Sequence, residues 1–162
     1  MEKFLLIILG IVAVTGVSSR MLANKKKTTQ YKYRPKPIMT HREEEAFRYL
    51  VRIFDQKFYV IPQVYLGSIL NHEIKGQNWQ GAFQHINRKS VDYVLLNKET
   101  LKVVCAVELD DRTHDSEKRQ KRDAEVERIL KGADIPLVRT RNLTNRNERE
   151  VIALFAEAIN GT

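Results

Sequence analysis

From residue 40 onward the apolar positions recur at two spacings, and the switches between them mark the elements. Ala46, Phe47, Leu50, Val51 and Phe54 recur at helical spacing and predict a helix ending near Phe54. Thr40 stands three residues before Glu43 ahead of that stripe, the pattern of a capping box. Tyr59 to Leu66 (YVIPQVYL) reads as a strand, and Pro62 favours an edge position or a bulge. Val91–Asn97 and Val103–Val107 are rich in β-branched and aromatic residues, and Asn97–Thr100 suits a turn between them. Asp115–Lys131 predicts a helix with Val126, Ile129 and Leu130 on its apolar side, ended by Gly132. Ile135–Thr140 is a short buried strand. Asn145 and Glu148 form a second capping box, and Val151, Leu154, Phe155, Ala158 and Ile159 then stripe a last helix. Residues 67–90 show no clear period.

This order predicts an α/β domain with a mixed central sheet flanked by helices. The helix between the Glu108 strand and the Leu137 strand acts as a crossover and implies that those two strands run parallel. The first 23 residues follow a different pattern. Phe4–Val17 (FLLIILGIVAVTGV) is unbroken apolar sequence. As a helix it would rise about 21 Å, short of the roughly 30 Å hydrocarbon core; continuing to Ala23 reaches that length. Residues 1–23 read as a single-span membrane anchor, as a cleaved signal peptide, or as a buried or surface helix. Arg20 and Lys25–Lys27 make the following side the more positive one. A transmembrane helix so flanked sits in the inner (cytoplasmic) membrane with the C-terminal domain in the cytoplasm. Signal cleavage would instead give a secreted or periplasmic chain. Residues 24–37, basic and carrying Pro35 and Pro37, read as a tether, and 38–162 as the folded domain.

Charge narrows the partners. The chain carries 28 Lys+Arg against 20 Asp+Glu, a formal +8. That suits a phosphate-bearing partner or an anionic membrane surface. Cys105 is the one cysteine, so four-cysteine or zinc-finger metal centres and intrachain disulfides are excluded.

Against this basic background, acids gather at one end of the Val91–Val107 hairpin: Asp92 on one strand, Glu108, Asp110 and Asp111 after the other. A pairing that sets Val94 opposite Val104 and Asp92 opposite Glu108 brings the facing side chains within about 5 Å. Glu108 and Asp110 share a face by the two-residue strand period. Carboxylates so placed repel and raise one another's pKa, and an oxygen-seeking Mg²⁺ relieves the conflict. The plain alternative is a solvated hairpin end bearing ordinary surface acids. Glu43, at the edge of the first helical stripe, is either a cap alone or an inward acid. Gln63 shares a strand face with Ile61 and Tyr65 and points to the site or satisfies an edge backbone. Arg88 and Lys89 precede the Asp92 strand. His114, Lys118, Arg119, Lys121 and Arg122 form a basic arc beyond the acids, or simply a wet helix face. His85 reads as structural.

These residues carry a resemblance. Asp92 with Glu108-Leu109-Asp110 resembles the signature of the PD-(D/E)XK nuclease superfamily. The match is nearer to a group of bacterial domains of uncharacterised function within it. The matching pieces are Thr40, Glu43 and Phe47; Pro62-Gln63-Val64; Asn87-Arg88-Lys89 with Val91-Asp92-Tyr93-Val94; Ala106-Val107-Glu108-Leu109-Asp110-Asp111; His114; Lys118-Arg119-Gln120; Arg122-Asp123; and Ile135-Pro136-Leu137 with Arg139. The resemblance implies a restriction-endonuclease-like core and Mg²⁺- or Mn²⁺-dependent hydrolysis of DNA phosphodiesters. Asp92 and Glu108 would hold the metal, with Asp110 as a third ligand or as a partner of one. Glu43 would orient water or a second metal. Most of that superfamily has a lysine where this chain has Asp110. A branch resembling the very-short-patch-repair endonucleases keeps a histidine downstream, and His114 falls there, as a proton-transfer group. Lys118 or Gln63 could also replace the lysine. Arg119 and Arg122 would hold neighbouring phosphates, with Arg88 and Lys89 as further backbone contacts. Two rival readings remain: a nucleic-acid-binding module without turnover, and a membrane-anchored scaffold.

Overall fold

The computed structural model describes residues 30–110 and 117–161. The chain divides into two units, Met1–Lys36 and Pro37–Thr162. Residues 30–36 of the first are exposed and form neither helix nor strand. The second comprises α1 (His41–Phe54), β1 (Phe58–Tyr65), a 3-10 turn (Leu66–Ser68), α2 (Trp79–Ile86), β2 (Ser90–Asn97) and β3 (Val103–Leu109). It continues through α3 (Glu117–Gly132), β4 (Leu137–Thr140), a second 3-10 turn (Leu143–Asn145) and α4 (Glu148–Asn160). The sheet order is β1-β2-β3-β4. The first three strands are antiparallel, and β3 and β4 are parallel. The parallel pair is what a crossover through α3 requires, and Pro62 does lie in an edge strand, where its missing N–H is tolerated.

Strand alternation splits the core into two layers. Tyr93, Leu95, Cys105 and Val107, with Val60 and Val138, pack against Ala46 and Leu50 of α1 and Val151 and Phe155 of α4. Val94 and Ala106 pack on the opposite face against Ile86 of α2 and Val126 and Leu130 of α3. Side chains such as Leu50 and Phe155, 0% and 1% exposed, each stabilise the fold by roughly 1.5–3 kcal/mol through burial. Burial also makes Cys105 an inert thiol, its pKa pushed up to about 12.

Three local expectations change. Val94 pairs with Ala106 rather than Val104, because the ladder runs Tyr93 to Val107 and Leu95 to Cys105 before a bulge at Leu95/Leu96. The last helix is capped by Asn147 and Glu150, not Asn145 and Glu148. Both pairs have the spacing, but Asn145 is used in the 3-10 turn. The region without clear period contains α2, capped by the Asn78 side chain on the Gly81 N–H.

A larger departure lies in β1. Gln63 has φ 52°, left-handed backbone inside a strand. The ladder pairs Pro62 with Tyr93 and Val64 with Val91 but skips Gln63 and Asp92 between them. A strict two-residue period would keep Val60 with Val64 and Val91 with Tyr93. Instead Val60 and Tyr93 join the first core layer, and Val64 and Val91 the second. Both strands therefore change face at this point, so Gln63 does not simply continue the face of Ile61 and Tyr65. Such irregularities re-aim side chains and concentrate beside functional sites.

The membrane expectations are corrected. Among the described residues no helix is long and apolar enough to cross a membrane. The longest described helix, α3, has 16 residues and a largely charged sequence, EKRQKRDAEVERILKG. It spans about 24 Å against a core of roughly 30 Å. Residues 4–23, on which the anchor or signal segment was placed, lie outside the described residues. The fold is a small mixed α/β domain with a four-stranded sheet flanked by helices. The preceding transmembrane segment, the membrane as partner and the inner-membrane location are not carried forward.

Candidate functional site

The C-terminal ends of β3 and β4, the start of β2, the first turn of α1 and the second turn of α3 surround one cleft of about 530 Å³. Crevices at the carboxyl ends of strands are the usual ligand sites of open α/β sheets. Its lining carries the acids Glu43, Asp92, Glu108, Asp110 and Asp123 and the cations Arg42, Arg122 and Arg139.

Asp92 sits where β1 and β2 lose their pairing. Its Oδ2 accepts the Leu109 N–H at 2.7 Å, tying the start of β2 to the end of β3. Continuing the Tyr93–Val107 register by one step sets Asp92 against Glu108, as the sequence suggested. Burial raises the Asp92 pKa against the pull of the Leu109 bond, and the nearby Glu43 charge adds to the rise. Burial also raises Glu108, to about 7, with Asp92 the next contributor; Arg139 and Arg122 oppose the shift. Glu43 thus makes the ionisation of Asp92 more costly, and Asp92 that of Glu108, as expected of like charges gathered at one site.

Glu43 is both cap and cleft residue. Its Oε2 accepts the Thr40 N–H of the capping box, and its Oε1 accepts the Gln63 side-chain N–H at 3.1 Å. The two roles, expected to exclude each other, are met by the two oxygens of one carboxylate. The left-handed backbone of Gln63 places that amide beside Glu43. The Tyr93 hydroxyl donates to the Glu43 carbonyl and holds the first turn of α1 over β2.

Asp110 lines the cleft but does not join Asp92 and Glu108 as a third ligand. Its carboxylate pairs with Arg141 Nε at 3.3 Å. Its backbone N–H continues the β3–β4 contact to Thr140, and its carbonyl accepts from Arg42. Among the described residues no three His, Cys, Asp or Glu side chains are close enough together to hold a metal ion. The half-buried pair Asp92 and Glu108 nonetheless fits Mg²⁺, which is commonly held by one or two carboxylates together with substrate phosphate oxygens.

Of the basic candidates, Arg122 lines the cleft. Lys89 does not: it pairs with Glu125 at 3.2 Å and donates to the His85 carbonyl. Arg88 is exposed and outside the cleft lining. Asp111 and His114 lie outside the described residues, as do the side chains of Lys118 and Arg119. Three cleft residues had been given no role from sequence: Arg42, Asp123 and Arg139. Arg139 pairs in register with Glu108, and its guanidinium donates to the Asp123 carbonyl at 2.7 Å. The signal for it was a charge inside a short buried strand, once that strand is known to lie parallel to β3. Arg42 was legible as an oddity, a cation in the first turn of a helix whose dipole disfavours it there. It donates to the carbonyls of Asp110 at 3.0 Å and Arg141 at 2.6 Å.

No curated protein and no solved structure matches this chain. A family profile described as a protein of unknown function, DUF2726, matches residues 35–159, which takes in every element of the sheet and the whole cleft, and the chain belongs to that family.

Proposed function

We propose that the cleft hydrolyses phosphodiesters of DNA with the help of a divalent cation. One observation carries the reading. Asp92 and Glu108, drawn from adjoining strands, lie half-buried at a strand end, where burial raises both pKa values and the Asp92 charge raises that of Glu108 further. A folded protein gains nothing from that conflict, and a hard cation removes it. The resemblance of Asp92 and Glu108-Leu109-Asp110 to the PD-(D/E)XK signature supports the same assignment.

Asp92 and Glu108 would hold Mg²⁺ or Mn²⁺. Such an ion supplies polarisation of a phosphoryl oxygen and a water of lowered pKa. The chain's own groups do the rest. Arg122 and Arg139 keep the cleft attractive to a phosphate despite its acids, and a guanidinium grips phosphate oxygens bidentately. Gln63 and Thr40 fix the Glu43 carboxylate, which then orients a polar ligand entering beside Asp92. The resemblance assigns proton transfer to His114. Asp110, held by Arg141, does not act as a base in place of the usual lysine.

Incubation of the full chain with supercoiled plasmid and Mg²⁺ or Mn²⁺ tests the proposal. Nicking should depend on the cation and vanish in Asp92→Ala and Glu108→Ala. Product equal in wild type and both variants would exclude it. The engagement of Asp110 with Arg141 favours one other reading, a nucleic-acid-binding module without turnover. That reading predicts plasmid retardation with no nicked product.

A further inference from the structure

Away from the cleft, the face around α2 has a composition unlike the rest of the domain. Trp79 and Phe83 are 52% and 38% exposed, and Ile74 just before the helix is 58% exposed. Trp79 and Phe83 stand four apart, so they share one helix face. The His72 ring packs against Phe83 with centroids 5.1 Å apart. Gln80 and Gln84 are exposed on the same helix. Lys75, next to Ile74, and Arg88, two residues after the helix, are exposed, and between Asp55 and Asp92 the sequence holds a single acid, Glu73. Exposed rings and amides, with more cations than acids about them, suit nucleobases and their phosphates better than they suit a protein surface.

The face is fastened to the cleft. Glu125 of α3 receives His85 Nε2 at 2.7 Å and Lys89 Nζ at 3.2 Å, joining the end of α2 to α3. Arg122, in the cleft wall, lies three residues before Glu125 and on the same side of α3. Along the two helices and the gap between them, the path from Arg122 to Trp79 is on the order of 20 Å, the reach of a few nucleotides of one strand.

We propose that the Ile74, Trp79 and Phe83 face binds unpaired bases of a single strand whose backbone runs on into the cleft. This rests on the reading of the cleft as a nucleic-acid site and adds the substrate class: DNA with a single-stranded segment. Aromatic side chains stack on any base whose face is free, whereas a duplex hides those faces in its own stack.

Trp79 is the chain's only tryptophan and reports directly. The full chain is titrated, in chelator to prevent cleavage, with oligothymidylate of about 20 nucleotides, alone or annealed to oligoadenylate. Trp79 fluorescence should be quenched to saturation by the single strand, at a concentration at least roughly tenfold below that needed with the duplex. Phe83→Ala, with circular dichroism confirming its fold, should weaken single-strand binding roughly tenfold. Trp79→Ala should do the same by anisotropy of a labelled strand. Equal quenching by duplex and single strand overturns the proposal. So does a fluorescence change that follows protein concentration without nucleic acid, which would mean that a second copy covers the face. Cation-dependent nicking that needs Asp92, alongside an unresponsive Trp79, leaves the cleft assignment standing and removes this one. Saturable quenching without any nicking does the reverse.

Discussion

Replacing Glu108 by glutamine should make the free protein more stable at alkaline pH and leave it unchanged in acid. The folded-state pKa of Glu108 is about 7 against an ordinary value of 4.5. Below pH 4.5 the carboxyl is protonated in both states and contributes no difference. Between 4.5 and 7 the folded state binds more protons than the unfolded state, so stability falls as pH rises; above 7 the whole cost is present. A shift of that size corresponds to about 3 kcal/mol at 1.36 kcal/mol per unit, and partial exposure of Glu108 reduces it to roughly 2 kcal/mol. Burial sets the sign; Asp92 and Asp123 deepen the penalty, while Arg139 and Arg122 offset part of it. Urea unfolding of wild type and Glu108→Gln, followed by far-ultraviolet circular dichroism at pH 5 and pH 8, measures the effect. Other carboxylates titrate in both proteins, so the difference between the two isolates position 108. The variant should gain about 2 kcal/mol over wild type at pH 8 and only about 0.5 kcal/mol at pH 5. Saturating Mg²⁺ at pH 8 should stabilise wild type and not the variant. A wild type that outlasts Glu108→Gln at pH 8 without cation would show that Glu108 is not held in an unfavourable ionised state, and the argument for a cation there would fail.

Gln63→Gly should be more stable than Gln63→Ala by about 1 kcal/mol in thermal denaturation, because only glycine accepts φ 52° without strain; the opposite order would place Gln63 in ordinary strand backbone. Arg42→Ala should lose about 1 kcal/mol, since two carbonyl contacts that tie α1 to the ends of β3 and β4 disappear. Arg42→Lys should recover only part of that, lacking the planar fork, which urea titration of the three proteins would show. Cys105 should resist a thiol reagent at pH 8 in the native protein and react at once in denaturant, as a buried thiol of pKa about 12 must.

Much of this architecture was written locally. The stripe from Ala46 to Phe54, the Thr40–Glu43 box, the β-branched runs of β2 and β3 and the crossover helix each depend on residues a few positions apart. Their types and order could therefore be read from spacing alone, and so could the meeting of Asp92 with Glu108, because the hairpin joins them through a short turn. The short helix α2 escaped because eight residues hold little more than two turns of period, and two of its apolar residues, Trp79 and Phe83, face outward.

What spacing could not decide is set by contacts between distant parts of the chain. Asp110 looks like a third metal ligand along β3, yet Arg141, 31 residues later, claims its carboxylate. Arg139 enters the cleft only because β4 lies parallel to β3 in the register that pairs it with Glu108. Gln63 reaches Glu43 only because both strands turn over at a left-handed residue, a state that no local preference of glutamine would select. Sequence alone determined which segments coil and which extend, since that follows from neighbours a turn or a pleat away. Tertiary structure alone determined which charges meet, since a carboxylate's partner is whichever cation the folded sheet brings within a few ångströms, however far off in the chain.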